Sequence, residues 1–339
     1  MKPRLGVIVR ADKTGLGYQT KAYHKWLKPS KTILIDISNL NGNTQYYGWY
    51  EDKIIIKGLP NIEQIKHMLA DIDVLLTAET PYNLELYRIA KDMGVKTICV
   101  ENPEFYDHKK YPQYALPDMI ILPSTWLEAD IRQHAEPLGV KVVQLHHPVD
   151  RQEITYRPRF TNKTLHIAGK PATQDRNGTW DYLRAVPNGK VITQDKNFAN
   201  HLRSRFRHSN IYTDIADNNL MYSYGDIMVL PRKYGGNCLP LNEALASGMP
   251  VIMPDITPNN NLLPKEWLVP ATFDGMLNVR GDNISMFRTE APILSQKVKE
   301  LQSLDITVLS RLANDIADTI RWEVMLPKYQ NAVESLFYG

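Results

Sequence analysis

The sequence predicts an α/β protein made of two Rossmann-like, doubly wound domains. Its 339 residues suffice for two domains of about 150 residues each. Short apolar runs alternate with segments of helical period through both halves, which is the pattern of parallel sheets covered by helices. Residues 147–159 lose the apolar period and gain prolines and charge. We therefore place the first domain at residues 1–150 and the second from residue 151 to residue 320.

The first half begins with the apolar run LGVIV, which is typical of a buried parallel strand, and a loop over residues 10–17 follows it. The same reading predicts further strands over 32–37, 54–56, 74–77, 96–100, 119–122 and 140–145. The predicted helices of this half cover 18–27, 62–70, 82–93 and 126–136.

The second half restarts with strands over 164–168, 190–193 and 210–213, and with helices over 179–185 and 198–206. Residues 226–230 form the next short apolar run, which Pro231 ends. A glycine-containing loop then leads to a helix that starts near Pro240 and ends before Gly248, and Val251 begins another strand. Residues 293–301 and 307–320 are predicted to be helical.

The loop before Pro240 carries the chemistry that predicts a ligand site. Gly235 and Gly236 allow a ligand to approach the backbone closely. An anion would be favoured by the amides at the helix N-terminus, those of Asn237, Cys238 and Leu239. About one turn further on, the Glu243 carboxylate is placed to accept hydrogen bonds from a sugar diol. An anion and a diol together indicate a nucleotide.

The segment GGNCLPLNEALASGMPV resembles the motif of retaining GT-B glycosyltransferases of family 4, over some 30 residues with its flanking strands. That family carries two glutamates eight positions apart, of which the second binds the nucleotide ribose and the first contacts the donor sugar. Glu243 matches the second glutamate, and the first falls on Gly235. The resemblance therefore implies nucleotide binding and leaves the sugar undefined.

The same resemblance implies the roles of the domains. The first would be the acceptor side and the second would bind the nucleotide-sugar. Trp322-Glu323 resembles the start of the family's C-terminal helix, so residues 321–339 are expected to pack back on the first domain.

Two basic residues after the strand over 164–168 are candidates for binding the donor diphosphate. Family members carry an arginine and a lysine six positions apart there, and this chain has Lys170 and Arg176 in the opposite order. Either order supplies positive charge to phosphate oxygens. We expect both residues to bind the donor and to assist departure of the diphosphate, and a solvated turn is the alternative.

The loop after the first strand contains Gly15 and Gly17, which the resemblance assigns to the donor phosphates. A simple tight turn is the alternative. An NAD-binding fingerprint would need a third glycine at position 20, which is Thr20, although Asp36 lies near the ribose-binding position of that fingerprint.

Glu79 and Glu101 each follow a predicted strand, at the sheet edge where parallel sheets bind ligands. Glu101 occupies a position where many family members carry a histidine, and it is our catalytic candidate for orienting the acceptor or stabilising positive charge at the anomeric carbon. A helix-capping carboxylate is the alternative.

No metal or other cofactor is predicted. Asp71 and Asp73 form the only Asp-x-Asp, and it precedes a strand instead of ending one, so a solvated turn is expected there. His146-His147 has no third ligand at metal spacing and is expected to be strand-end packing.

Composition bounds the compartment and the acceptor. A net charge of +3 is too small for a dedicated nucleic-acid binder, two distant cysteines suit a reducing cytoplasm, and no apolar run is long enough to span a membrane. The N-terminal RADKTGLGYQT resembles segments of bacteriophage glycosyltransferases, some of which act on modified DNA bases. The basic residues over 203–208 permit a nucleic acid, although a solvated helix end is the better reading. A polysaccharide, lipid or protein acceptor fits equally well, and the sequence does not define the oligomeric state.

The resemblance thus implies a retaining glycosyltransferase of the EC 2.4 class with a UDP-type donor, and we expect it to need no metal. A sugar-nucleotide-binding protein without activity and an NAD-dependent oxidoreductase are the alternatives.

Overall fold

The computed structural model describes residues 2–106, 112–169, 173–215, 217–279 and 282–338. The chain divides into two compact units. One contains Met1–His147 together with Met325–Gly339, and the other contains Pro148–Val324.

The first unit is a seven-stranded parallel sheet with helices between its strands. Its strands are β1 Leu5–Val9, β2 Lys31–Asp36, β3 Ile54–Lys57, β4 Val74–Ala78, β5 Lys96–Val100, β6 Met119–Leu122 and β7 Lys141–Gln144. Its helices are α1 Gly15–Leu27, α2 Ser38–Asn41, α3 Ile62–Leu69, α4 Leu86–Asp92 and α5 Glu128–Ala135. The strand order β3-β2-β1-β4-β5-β6-β7 reverses direction between β1 and β4.

The second unit is a six-stranded parallel sheet with an added hairpin. Its sheet contains β8 Thr164–Gly169, β9 Lys190–Thr193, β10 Asn210–Tyr212, β11 Ile227–Val229, β12 Val251–Pro254 and β13 Leu268–Val269. The helices are α6 Thr179–Ala185, α7 Lys196–Arg205, α8 Asn218–Met221 and α9 Leu239–Ala246. The hairpin pairs β14 Thr272–Val279 with β15 Asp282–Arg288, and three helices follow: α10 Ala291–Gln302, α11 Ile306–Thr319 and α12 Trp322–Tyr338.

Strand order decides where a ligand can bind in the second unit. The order β10-β9-β8-β11-β12-β13 reverses direction between β8 and β11. The connections leaving these two strands diverge to opposite faces of the sheet, which opens a crevice at their carboxyl ends. The expected pair of doubly wound sheets is confirmed, and each sheet has one such point.

Helix α12 begins with Trp322, which is fully buried and donates its backbone N–H to Val149 O at 3.2 Å. From Met325 onward the helix belongs to the first unit. There the Tyr329 ring lies 5.8 Å from the ring of Tyr23.

The features that differ from the sequence prediction include the start of α1 and the hairpin of β14 and β15. The expected loop over 10–17 is shorter, because α1 begins at Gly15 and both Gly15 and Gly17 lie in its first turn. Thr14 Oγ1 accepts a hydrogen bond from Gly17 N at 3.1 Å, and this N-cap stabilises a start that two glycines would disfavour.

The second difference is the hairpin of β14 and β15, which no sequence pattern predicted. Its first strand reads TFDGMLNV, in which glycine and polar residues interrupt the apolar alternation. The strand is largely exposed, so burial imposes no period of two on it. Its partner strand donates the Phe287 N–H to Lys233 O at 3.0 Å, within the loop that follows β11.

Candidate functional site

The candidate site of the second unit lies where β8 and β11 end. The segment after β8 carries Arg176, and the segment after β11 runs through Gly235 into α9. The backbone joins the two segments, since Lys233 N donates to Arg176 O at 2.8 Å. Residues that are 57 positions apart in sequence thus meet at the point where the strand order reverses.

Helix α9 presents open backbone donors at its N-terminus. Cys238 is the N-cap and makes no side-chain capping bond, and Pro240 in the first turn has no N–H. Within the described part of the chain, no hydrogen bond is donated by the amides of Asn237, Cys238 and Leu239. These three amides and the helix dipole favour an anion at this position, and donor binding by them stays a prediction.

Glu243 lies one turn into α9 and is held by two side chains from α8 and its end. Asn218 Nδ2 donates to one carboxylate oxygen at 3.0 Å, and the Tyr222 hydroxyl donates to the other. Burial raises the pKa of Glu243 from its ordinary 4.5 to about 7, although both hydrogen bonds act in the opposite direction. The carboxylate is therefore oriented in advance and can change charge near neutral pH.

Arg176 and Tyr234 form a cation–π contact at this site. The Arg176 guanidinium lies 5.2 Å from the centre of the Tyr234 ring, which is 7% exposed. Lys170, its predicted partner, lies outside the described residues. The role of both residues in binding the diphosphate stays a prediction.

Gly235 stands where the resembling family carries its first glutamate, and the structure requires a glycine there. Its φ is +119°, a conformation that side chains rarely adopt. A Cβ at this position would collide with guanidinium nitrogens of Arg176 and Arg232. Sequence reasoning missed Arg232, as well as Asn218 and Tyr222 beside Glu243. The available signal was a cation directly after Pro231 in a glycine-containing loop.

In the first unit, Gly17 fits close packing within the protein. A Cβ there would collide with the backbone oxygen of Asp12. The buried Asp12 carboxylate also accepts from Thr14 N at 3.3 Å and pairs with the buried Arg10 guanidinium, so its charge is balanced beside the start of α1. Donor binding by Gly15 and Gly17 stays a prediction.

Glu101 follows β5 and is 7% exposed. Its backbone N–H donates to Ile121 O at 2.9 Å, and the Cys99 thiol lies 3.6 Å from its Oε2. Burial, and then the Glu101 charge, raises the pKa of Cys99 and of Tyr106. Glu79, after the neighbouring strand β4, accepts a hydrogen bond from Asn102 Nδ2. Carboxylates thus end two adjacent strands, as predicted, and Glu101 lies in a buried polar cluster.

We expect Glu101→Gln to lower turnover about tenfold or more while leaving nucleotide affinity unchanged. Removal of one hydrogen bond to a charged group costs roughly 1.5 kcal/mol, and the residue lies in the unit that does not contain Glu243. Steady-state kinetics with calorimetry of nucleotide binding would measure both. Glu128→Gln on α5 is the charge-matched control, and wild-type turnover in Glu101→Gln would make Glu101 structural.

No metal centre is evident in the part of the chain that the structure describes, where no three His, Cys, Asp or Glu side chains are grouped to hold an ion. Asp73 of the Asp-x-Asp sequence accepts from Arg4 Nη2 at 2.9 Å and Arg4 N at 2.7 Å, so it is occupied in an ion pair. His147 is 3% exposed, and its Nδ1 lies 3.2 Å from the Tyr23 hydroxyl. Of the helices in the described ranges, none has the length and apolar content needed to cross a membrane.

The fold is shared with solved structures. The chain superposes on a glycosyltransferase from Rickettsia africae ESF-5 with a TM-score of 0.70 and 14% identity, over 99% of this chain and 98% of that one. It superposes on sucrose-phosphate synthase from Thermosynechococcus elongatus with a TM-score of 0.71 and 12% identity, over the whole of both chains. For HepE from Anabaena in complex with UDP-glucose, the TM-score is 0.71 at 11% identity, over 98% and 99% of the two chains.

No family model matches the sequence, and no curated protein matches it either. The full-length superpositions show that the chain has the GT-B fold. At these identities they establish the fold alone, so activity has to be argued from the site.

Proposed function

We propose that the protein is a glycosyltransferase that moves a sugar from a nucleotide-sugar donor to an acceptor hydroxyl, with retention of anomeric configuration. The observation that carries the proposal is the arrangement on α9. Open amides favour an anion, and one turn later Tyr222 and Asn218 hold a carboxylate that can accept hydrogen bonds from a diol. A nucleoside diphosphate carries both groups.

The chemistry would rest on position and charge. The acceptor hydroxyl would attack the anomeric carbon from the face of the leaving group, and a β-phosphate oxygen would take its proton. Arg176, Lys170 and the α9 N-terminus would stabilise the departing diphosphate, and Glu101 would act on the acceptor side. The UDP-glucose complex of HepE supports a UDP-type donor as the first choice to test.

The acceptor is a modified DNA base, a polysaccharide or another biopolymer. The basic end of α7 does not favour nucleic acid, because its arginines have partners within the fold. Arg203 donates to Ile211 O at 2.8 Å, and Arg205 lies over the Trp180 ring. Incubation of cell extract with the protein and a panel of labelled nucleotide-sugars, followed by mass spectrometry, would identify both donor and acceptor.

One observation favours a second function, that of a sugar-nucleotide-binding protein without activity. Gly235 leaves the site without the carboxylate that the resembling family uses on the donor sugar. Release or transfer of labelled sugar from a bound donor separates the two, since a binding protein would retain its ligand unchanged. An NADH fluorescence titration without any change would remove the oxidoreductase alternative.

We expect transfer to need no divalent metal. Two cations and a helix N-terminus of about half a charge can balance a diphosphate, and Asp73 is already paired with Arg4. Activity should persist in excess EDTA within about twofold, a difference of roughly 0.4 kcal/mol. Full loss in EDTA that magnesium or manganese restores would contradict this mechanism.

A further inference from the structure

Two guanidinium groups converge over the bare backbone of Gly235. The Nη2 atoms of Arg176 and Arg232 both lie next to the point that a Cβ of residue 235 would occupy. Arg176 arrives from the end of β8 and Arg232 from the end of β11, so the convergence is set by the reversal of strand order. One oxygen atom near this point could accept a hydrogen bond from both groups.

Arg232 is fixed in this orientation by its own loop. Its Nε donates to Tyr234 O at 2.9 Å and its Nη1 to Asn237 O at 2.7 Å. The residue is only 8% exposed, so the plane of its guanidinium has little freedom. Within the described ranges no hydrogen bond is donated by Nη2, the atom that faces Gly235.

The charge of Arg232 has no acidic partner in the described part of the chain. Among the residues that the structure describes, no carboxylate lies within ion-pair distance of it. The buried acid Asp181 pairs with other cations, since it is 3.9 Å from Lys233 Nζ and 3.3 Å from Arg184 Nη1. A nearly buried cation beside a second one is costly unless an anion compensates it.

Resting on the proposed function, we propose that Arg176 and Arg232 together bind one oxyanion of the donor above Gly235. Arg232 thereby becomes a further donor-binding residue that donates a charge-assisted hydrogen bond through Nη2. The oxyanion is either the β-phosphate or a carboxylate carried by the donor sugar. Each group carries negatively charged oxygens that accept hydrogen bonds from a guanidinium, and the donors tested below distinguish them.

The test compares wild type with Arg232→Gln by calorimetry against pyrophosphate, UMP, UDP, UDP-glucose and UDP-glucuronate. If the β-phosphate is bound, Arg232→Gln should lose about ten- to hundred-fold in affinity for pyrophosphate, UDP and both sugars, and little for UMP. If a sugar carboxylate is bound, wild type should prefer UDP-glucuronate, and the same loss should be confined to that ligand.

Lys233→Gln is the matched control, because it removes the same charge at the next position. The Lys233 side chain is directed at Asp181. Arg232→Gln could destabilise the loop that it supports, so unfolding temperatures without ligand are measured first. Gly235→Ala is the second variant. It retains both arginines but puts a methyl group where their guanidinium groups converge, which forces them apart. It should therefore weaken the same ligands, and its unfolding temperature is measured alongside.

Unchanged affinity for every ligand in folded Arg232→Gln would overturn the proposal, and so would an equal loss in Lys233→Gln. Wild type that binds pyrophosphate but neither UMP nor UDP would retain the oxyanion site and refute the nucleotide-sugar function. Wild type that binds none of the five would refute both.

Discussion

Replacing Glu243 with alanine is expected to weaken nucleotide binding about ten- to hundred-fold. A hydrogen bond to a charged group contributes roughly 1.5–3 kcal/mol, which corresponds to that change in dissociation constant. Calorimetry with UDP and GDP would measure it. Glu266→Ala, on an exposed part of the same unit, is the charge-matched control. Unchanged affinity in a folded Glu243→Ala protein would contradict the assignment of ribose binding to this carboxylate.

The same residue should make binding depend on pH. Its pKa is about 7, so near pH 6 most molecules carry a neutral carboxyl group that accepts diol hydrogen bonds poorly. Affinity should rise as pH increases from 6 to 8, and binding near neutral pH should release a proton. Calorimetry in buffers of different ionisation enthalpy would detect the proton. Glu243→Gln should abolish both effects.

Stability should move in the opposite direction over part of this range. The pKa of Glu243 is raised in the folded state, so between pH 4.5 and about 7 the folded protein binds more protons than the unfolded chain. The contribution of this group to stability is therefore lost as pH rises through that window. Ligand affinity and intrinsic stability thus make opposite demands on one carboxyl group.

Arg176→Ala is expected to lower transfer by about a hundred- to thousand-fold, the loss typical when one group that stabilises transition-state charge is removed. Arg176 lies at the reversal of strand order beside the open amides of α9, where the diphosphate would depart. Single-turnover kinetics with a labelled donor would measure the loss.

Arg205→Ala supplies a close control for that measurement. It removes the same charge and a comparable cation–π contact, since Arg205 lies 5.6 Å from the Trp180 ring centre and Arg176 lies 5.2 Å from that of Tyr234. Equal losses in both variants, or none in Arg176→Ala, would contradict the assignment.

The sequence was informative where function and local structure depend on the same short segment. The strand that ends at Pro231, the glycine loop and the α9 N-terminus are all local, and their order predicted an anion site next to Glu243. The two residues that contact Glu243, Asn218 and Tyr222, lie more than 20 positions before it in the sequence. Helix α8 has only four residues, which is too short to show a helical period.

The arginine pair was beyond sequence reasoning for a related reason. In the sequence, Gly235 was interpreted as the loss of a family glutamate. In the structure, its lack of a side chain leaves room for the guanidinium groups of Arg176 and Arg232 to approach each other. That meeting depends on β8 and β11 being neighbours, which strand order alone decides. The start of α1 was missed because glycine counts against a helix until the Thr14 cap is seen.

The hydrogen bond from Phe287 N to Lys233 O ties the β14–β15 hairpin to the loop after β11, which matters for engineering of the protein. A graft that shortened the hairpin would leave the Lys233 carbonyl without this donor, one position after Arg232. Loop swaps between GT-B scaffolds would therefore have to exchange the hairpin and the segment after β11 as one module. The hairpin lies outside the parallel sheet, yet it supports the backbone of the loop that follows β11.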